Sequence, residues 1–340
     1  MKIAILSFYS GLVSRGVETF VHELTQALQK KVNLKVYQAD TIPQKPKPKT
    51  PNLFTYLYLD NHSLKIKSFT QKILKQLQSN PPDILLPLNN GWMTFLSKRF
   101  CSKHKTKLVL AGFSGIGWDD KVNLWLKPDA FVACTRSQAN WAKTINPQAN
   151  ITAINIGVNP DKFKPQGKKY SHGLKSPVVL AIAGPEPYKR IKLAIKAVSQ
   201  LNNASLLVVG SQPQKILKLG QNLLGSRFKN ISVNYQDLDS VYRSVDIFTL
   251  PSESHEAYGI TILEALATNL PVVVNHDPIR QELVGQAGIL VDPSNLDQYA
   301  KALKTVLTKT PHLKPRQQAL KFSWEKIAHQ HFKLWQSLIN

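Results

Sequence analysis

Short runs of consecutive apolar residues alternate with longer stretches of helical period along the whole chain, and that alternation predicts strand–helix–strand units and parallel sheets. A parallel strand is covered on both faces, so it reads as an unbroken apolar run; the return to a parallel neighbour needs a crossover, usually a helix. In the first half the strand candidates are 3–6, 34–37, 84–87, 107–111 and 130–134. Between the first two, Val17, Phe20, Val21, Leu24, Ala27 and Leu28 recur at helical spacing and form one apolar stripe. A second series follows at 178–183, 205–209, 231–233, 247–250 and 271–274, again separated by helical segments. The stretch 163–177 between the two series is rich in Lys, Gly, Pro and Ser, as a linker is. The reading is an α/β protein of two Rossmann-like domains, 1–165 and 166–322. A closing helix over 323–340, with Ser323 as its cap and Glu325 in its first turn, carries two Trp on one face and docks on another surface.

Length and composition agree with two full-sized domains. The chain has 340 residues, 43% of them hydrophobic and 19% charged, which excludes a disordered basic tail. The two cysteines, Cys101 and Cys134, make no disulfide scaffold and no CxxC pair, so a reducing, cytoplasmic setting is expected. The apolar run after Met1 is too short for a secretory signal, and no stretch is long and apolar enough to predict a transmembrane helix. Prolines in the segment 41–51 predict an exposed extended loop carrying Lys45, Lys47 and Lys49.

The sharpest local feature is the run 251–265, PSESHEAYGITILEA. A buried-type strand ends at Pro251, a polar loop follows, and a helix begins near Gly259. The unpaired amides of a helix's first turn and its dipole favour an anion, and a glycine there permits close backbone approach to a phosphate. Glu256 and Glu264 are so placed that their carboxylates could hold hydroxyls at two ends of a sugar nucleotide while the amides hold the phosphates between. The plainer alternative stays open at this point: Glu256 satisfies the helix terminus and Glu264 is a solvated helix residue. Just after the strand 178–183 comes GPEPYKR, in which Lys189 and Arg190 lie at the carboxyl end of the same sheet, where open α/β sheets bind ligands. Cations are disfavoured in a helix's first turn, which makes a phosphate role the more natural one for them. In the first half, Gly11 to Glu18 joins strand to helix without the GxGxxG fingerprint of dinucleotide enzymes. It is either a ligand-approach loop or a plain flexible turn.

Taken in order, these segments resemble glycosyltransferase family 4 of the GT-B fold. Gly16-Val-Glu18 resembles the family's Gly-Gly-x-Glu loop, Pro187-Tyr-Lys189-Arg190 its donor-phosphate motif, and Glu256 to Glu264 its E-x7-E signature; 128–135, 157–165, 206–210, 242–252 and 322–324 resemble further landmarks. The resemblance implies two Rossmann-like domains facing each other across a cleft, with the C-terminal helix crossing back to the N-terminal domain. It implies a retaining, metal-independent hexosyl transfer from a UDP- or GDP-linked sugar to a glycan or lipid-linked acceptor, in cell-envelope polysaccharide or glycolipid synthesis. No cofactor beyond the donor is implied. Glu256 would contact the donor sugar near the reacting centre, Glu264 the ribose hydroxyls, and Tyr258, Gly259 and Ile260 would offer backbone amides. Lys189 would neutralise the diphosphate leaving group, with Arg190 beside it and the Gly16 loop closing on the donor. Two departures stand out: Gly184 and Pro185 occupy the stretch where the family carries an Arg, and Phe113 stands where many members place a His. Asp119 or Asp120 would contact an acceptor or cap the next helix. The pair Asp237 and Asp239, which looks like a metal-binding DxD, is read as capping the following helix.

The net charge of +23 remains to be placed. Residues 1–165 hold 23 Lys+Arg against 9 Asp+Glu, and the remainder 21 against 12. Two stretches of the first half are basic and amphipathic: Leu64 to Leu77 with Lys65, Lys67, Lys72 and Lys75, and Trp92 to Phe100 with its following lysines. They suit either an anionic bilayer or a core face backed by solvated lysines, and a peripheral position on the inner face of the plasma membrane follows from the first reading. A nucleic-acid-binding protein is the rival from another class, but no helix-turn-helix, RNP or zinc pattern is present and no nucleic acid is expected. An epimerase, a phosphorylase or a donor binder of the same fold is the other rival.

Overall fold

A computed structural model of the chain describes residues 1–12, 16–40, 53–253, 256–308 and 314–340. It divides into two units: Met1–Ile156 with Trp324–Asn340, and Gly157–Ser323. The linker-like stretch 163–177 therefore belongs to the second unit, and the proline-rich segment 41–51 lies outside the described residues.

The first unit is a sheet of six parallel strands in the order β2-β1-β3-β4-β5-β6. The strands are β1 (Lys2–Leu6), β2 (Asn33–Tyr37), β3 (Ile84–Pro87), β4 (Lys107–Ala111), β5 (Ala130–Ala133) and β6 (Ile151–Ala153). The crossovers carry α1 (Gly16–Leu28), α2 (Leu53–Tyr56), α3 (Asn61–Leu77), α4 (Trp92–His104), α5 (Trp118–Trp125) and α6 (Arg136–Ile145). β1 is the hinge of the topology: Ile3 is in register with Leu34 on one side and Ile84 on the other. Central strands are apolar throughout because helices cover both faces, and all four residues of β3 are buried. The edge strand β6 is half exposed, which is why its short Ile-Thr-Ala run gave no strand signal in the sequence.

The two basic amphipathic stretches become α3 and α4, and their apolar stripes pack into the core except at the outer end of α3, where Leu64 is exposed. Ile66, Ile73, Leu74 and Leu77 of α3 are buried, as are Met93 and Phe100 of α4. Asp60 caps α3, its carboxylate accepting from the amides of His62 and Ser63. Both cysteines are free and buried, and burial pushes the Cys101 thiol up to about 12.

The second unit repeats the plan. β7 (Val178–Ile182), β8 (Ser205–Val209), β9 (Phe228–Ile231), β10 (Ile247–Leu250), β11 (Val272–Asn275) and β12 (Gly288–Val291) form a parallel sheet in the order β12-β11-β10-β7-β8-β9. Its helices are α7 (Ile191–Ser199), α8 (Gln214–Leu224), α9 (Leu238–Tyr242), α10 (Ile260–Ala267), α11 (Pro278–Val284), α12 (Leu296–Thr308) and α13 (Pro315–Ala319). The strand expected at 231–233 ends instead at Ile231, and β12 adds an edge strand that the apolar runs did not announce.

The closing helix α14 (Trp324–Ile339) belongs to the first unit and packs on α1. Trp324, Ile327, Ala328, His331 and Trp335 are its buried face, and Phe20 of α1 meets the rings of Trp324 and His331 at 5.7 and 5.5 Å. Near the end of the helix, Ile339 is exposed. No helix among the described residues is long and apolar enough to cross a membrane.

Candidate active site

The parallel register of β7 and β10, in which Val179 faces Ile247 and Ala181 faces Thr249, brings two loops together at the carboxyl ends of neighbouring strands. After β7 the chain makes a single tight turn over Pro187–Lys189, and after β10 it runs through Pro251 to Gly259. Lys189 Nζ and a carboxylate oxygen of Glu256 form an ion pair across the two loops, with only 16% and 13% of the side chains exposed. The loops are also stitched by backbone: the Glu253 amide donates to the Tyr188 carbonyl at 2.8 Å. Burial, with Glu256 and then Glu186 nearby, pushes the Tyr188 phenol up to about 12, so it stays protonated at neutral pH.

Arg190, expected beside Lys189 on the phosphate, points to the loop instead. Its Nε donates to the Pro251 carbonyl at 2.7 Å and its guanidinium reaches the Ser252 carbonyl and the Ser294 hydroxyl at 3.4 Å. Its backbone is left-handed (φ 48°, ψ 35°), which ends the turn and starts α7. The pair Lys189–Arg190 thus splits its work, Lys189 facing Glu256 and Arg190 holding the strand end. Gly184 leaves room for the Glu186 carboxylate, since a Cβ there would lie 2.3 Å from its oxygen. An acid thus occupies the space opened by the departure at Gly184.

A second arginine, which the sequence reading missed, holds the loop from the far side. Arg280 of α11 is fully buried, pairs with Asp277 at 3.3 Å, and donates to the Glu256 carbonyl at 3.1 Å and the Ser252 hydroxyl at 3.4 Å. Asp277 in turn caps α11 through the amides of Ile279 and Arg280. The signal present was the Asp-Pro helix start with an Arg in its first turn, where a cation is out of place unless a nearby acid holds it.

Gly259 opens α10 with φ +85°, a conformation that strains any residue with a side chain, and so lets the loop turn into the helix. Tyr258 and Gly259 are buried, and Ile260 is half-buried. Glu264 is not a solvated helix residue: it is 2% exposed, and its carboxylate accepts from the Tyr242 hydroxyl at 2.8 Å. Burial first, then Glu264, holds the Tyr242 phenol far above its ordinary range. The DxD-like pair does not cap α9 through side chains. Asp237 makes no capping bond, and Asp239 pairs with Arg243 one turn on at 2.6 Å. Among the described residues no group of three or more His, Cys, Asp or Glu side chains is placed to hold a metal ion.

In the first unit Gly16 starts α1, is exposed, and has open space where a Cβ would stand; residues 13–15 before it lie outside the described residues. Phe113 follows β4 and packs its ring on Phe20 at 4.5 Å. Neither Asp119 nor Asp120 caps α5, whose first turn is preceded by Gly117 without a side-chain cap. Asp119 accepts from the Tyr58 hydroxyl at 2.5 Å, while Asp120 is fully buried and accepts from Gln138 Nε2 at 2.8 Å. Burial raises the Asp120 carboxyl to about 8.

Comparison with known proteins points the same way. The family model described as "Glycosyl transferases group 1" matches residues 163–321. The chain is 25% identical over 197 residues to a D-inositol 3-phosphate glycosyltransferase of Mycolicibacterium smegmatis, covering 52% of this chain and 45% of that protein. It is also 25% identical over 172 residues to the O-antigen chain mannosyltransferase RfbU of Salmonella typhimurium, covering 48% of this chain and 47% of that one. The chain thus spans less than half the length of these curated relatives. Among solved structures, a sucrose-phosphate synthase from Thermosynechococcus elongatus superposes with a TM-score of 0.81 at 18% identity, covering 99% and 98% of the two chains. Anabaena Alr3699/HepE in complex with UDP and glucose superposes at 0.75 with 16% identity, covering 99% and 100%. At these identities the likeness defines the fold, two Rossmann-like units of the GT-B glycosyltransferase type.

Proposed function

We propose that the chain is a retaining, metal-independent glycosyltransferase of family 4. It moves a hexose from a UDP- or GDP-linked donor to a glycan or lipid-linked acceptor of the cell envelope, on the cytoplasmic side and peripheral to the membrane. The observation that carries the reading is the Lys189–Glu256 pair at the carboxyl ends of β7 and β10, immediately ahead of the glycine-led terminus of α10. The match of residues 163–321 to glycosyl transferases group 1, and the UDP and UDP-glucose complexes among the structural neighbours, support it.

The roles follow from the chemistry of the groups. A nucleoside diphosphate sugar carries its negative charge on the diphosphate, and departure of that diphosphate is where charge develops. Lys189 and the first-turn amides of α10 are positioned to stabilise it, a task worth several kcal/mol in a water-poor site. The donor's diphosphate takes the place of the Glu256 carboxylate on Lys189, and Glu256 is released toward the sugar hydroxyls. Glu264, held by Tyr242, binds the ribose. Arg190 and Arg280 keep the loop between them in place from two sides. The acceptor is assigned to the first unit, with Phe113 after β4 and Asp119 in the first turn of α5 as the candidate contacts; Asp120, fully buried against Gln138, takes no part in it.

The test is transfer or hydrolysis of radiolabelled nucleotide sugars by the wild-type chain and by Glu256→Ala. Turnover by the wild type, reduced at least about a hundredfold in the variant, supports the assignment. Turnover that survives the substitution refutes it.

A further inference from the structure

Apolar surface is unevenly distributed over the described residues. Of the eleven exposed large hydrophobic side chains, eight fall within 54–64 and 116–125, both in the first unit. Phe54, Tyr56, Leu57 and Leu59 are 46–62% exposed, and Trp118 and Trp125, whose rings meet edge to face at 5.7 Å, are 44% and 55% exposed. Scattered exposed apolar residues need no explanation, but a gathered aromatic set does.

The display is built by Tyr58. Its backbone is left-handed (φ 55°), and its ring lies over Gly91, where a Cβ would stand 2.4 Å from the ring. Its hydroxyl donates to Asp119 at 2.5 Å, and its carbonyl accepts from Trp92 Nε1 at 2.8 Å. The strap 54–59 is therefore fastened to the starts of both α4 and α5, and Asp119 joins it to Trp118 next in the chain. A non-glycine residue in this region costs of order 1 kcal/mol and persists only where surrounding structure imposes it.

Cations outnumber acids around this surface. Asp60 is engaged in capping α3, Asp119 is bonded to Tyr58, and Asp120 is buried. Lys65 and Lys127 are exposed, and Lys67 sits over the Trp92 ring at 3.9 Å. The first unit as a whole holds 23 Lys+Arg against 9 Asp+Glu.

From these observations we infer that the strap 54–59 together with Trp118 and Trp125 is the surface that docks this protein on an anionic lipid bilayer, with the aromatic and aliphatic side chains entering the headgroup boundary and the lysines facing the lipid phosphates. A second copy of the chain would present the same cations to each other, which disfavours self-association through this face. The inference rests on the proposed transfer to a lipid-linked acceptor for its purpose, and it replaces the apolar stripes of α3 and α4, which are core, with a different set of residues. The docking itself requires no donor.

Co-sedimentation with phosphatidylcholine vesicles, with and without phosphatidylglycerol, tests it. The wild type is expected to partition about tenfold more strongly onto the anionic vesicles, with Lys65→Glu/Lys67→Glu removing that preference. Phe54→Ser/Leu57→Ser and, on a separate element, Trp125→Ser are each expected to weaken binding about tenfold at an unchanged thermal midpoint. Equal binding to both vesicles, absence of binding, or full binding by both apolar variants overturns the inference. So does a dimer in sedimentation velocity that Phe54→Ser/Leu57→Ser dissociates. Vesicle binding without stabilisation by any nucleotide sugar would leave the surface standing and remove the transferase reading; the reverse pattern would do the opposite.

Discussion

Lys189 and Glu256 are each other's partners in this structure, and that pairing has a consequence for ligand binding. A diphosphate must compete with the Glu256 carboxylate for Lys189, so Glu256→Gln is expected to bind free UDP or GDP about fivefold more tightly while losing transfer. Isothermal titration beside a turnover assay reads both; weaker nucleotide binding in the variant would contradict the roles given to the pair. Asp120 gives a prediction in pH. Its folded carboxyl titrates near 8, above its unfolded value, so the folded state holds the extra proton and stability falls as pH rises from about 4 through 8. Asp120→Asn should lose that part of the pH dependence and be the more stable protein at pH 9, measured by denaturant midpoint. The carboxylates at 119, 120, 256 and 264 could be singled out from the residues; what each one touches could not. The buried state of Glu264 depends on Tyr242, twenty-two residues earlier in the chain. The burial of Arg280 depends on a loop that only the fold brings to it.

At the scale of elements, buried parallel strands were legible because coverage on both faces demands unbroken apolar runs, as in β3 and β8. The edge strands β6 and β12 carry no such demand and were missed. Helix stripes told that a face was apolar but not what covered it, so α3 and α4 read equally as membrane or core until burial decided. The docking of α14 followed from its two Trp, and it can be probed through His331. That ring is wholly buried with no hydrogen-bond partner on either nitrogen, and burial lowers its titration to about 3. The unfolded chain therefore binds a proton that the folded one refuses between pH 6.5 and 3, and stability falls with acidification by about 1.4 kcal/mol per pH unit across that window. His331→Phe should flatten the acid limb relative to wild type and raise the melting temperature at pH 5; an unchanged acid limb would contradict a neutral buried ring. The loop after β10 gives a companion test. Arg280→Ala leaves the Glu256 carbonyl without this donor and Asp277 without this cation, and should cost about 3 kcal/mol in stability. Arg280→Lys should keep the fold but lower kcat more than KM, because Lys lacks the fork that spans Glu256 and Ser252.

For the molecule as a whole, the alternation of runs and periods specified two parallel α/β units, and both six-stranded sheets have that form. Charge was the least legible property. A surplus of +23 fits nucleic acid, membrane or acidic substrate equally well, and its meaning here depends on which acids are already bonded and which apolar residues the fold leaves outside. The masking of that information is physical: exposure is decided by tertiary packing, as the solvent-facing strap 54–59 shows beside the equally apolar but buried face of α3. The proposed function requires that a nucleotide sugar bind the second unit through the Lys189–Glu256 loops and Glu264. Thermal denaturation in the presence of a panel of UDP- and GDP-linked sugars measures this most directly. At a ligand concentration of about 100 times Kd, stabilisation of about 2.7 kcal/mol is expected, a rise of a few degrees for at least one nucleotide class, and Glu264→Ala should abolish it. No shift with any member of the panel, or an equal shift in Glu264→Ala, would contradict the account.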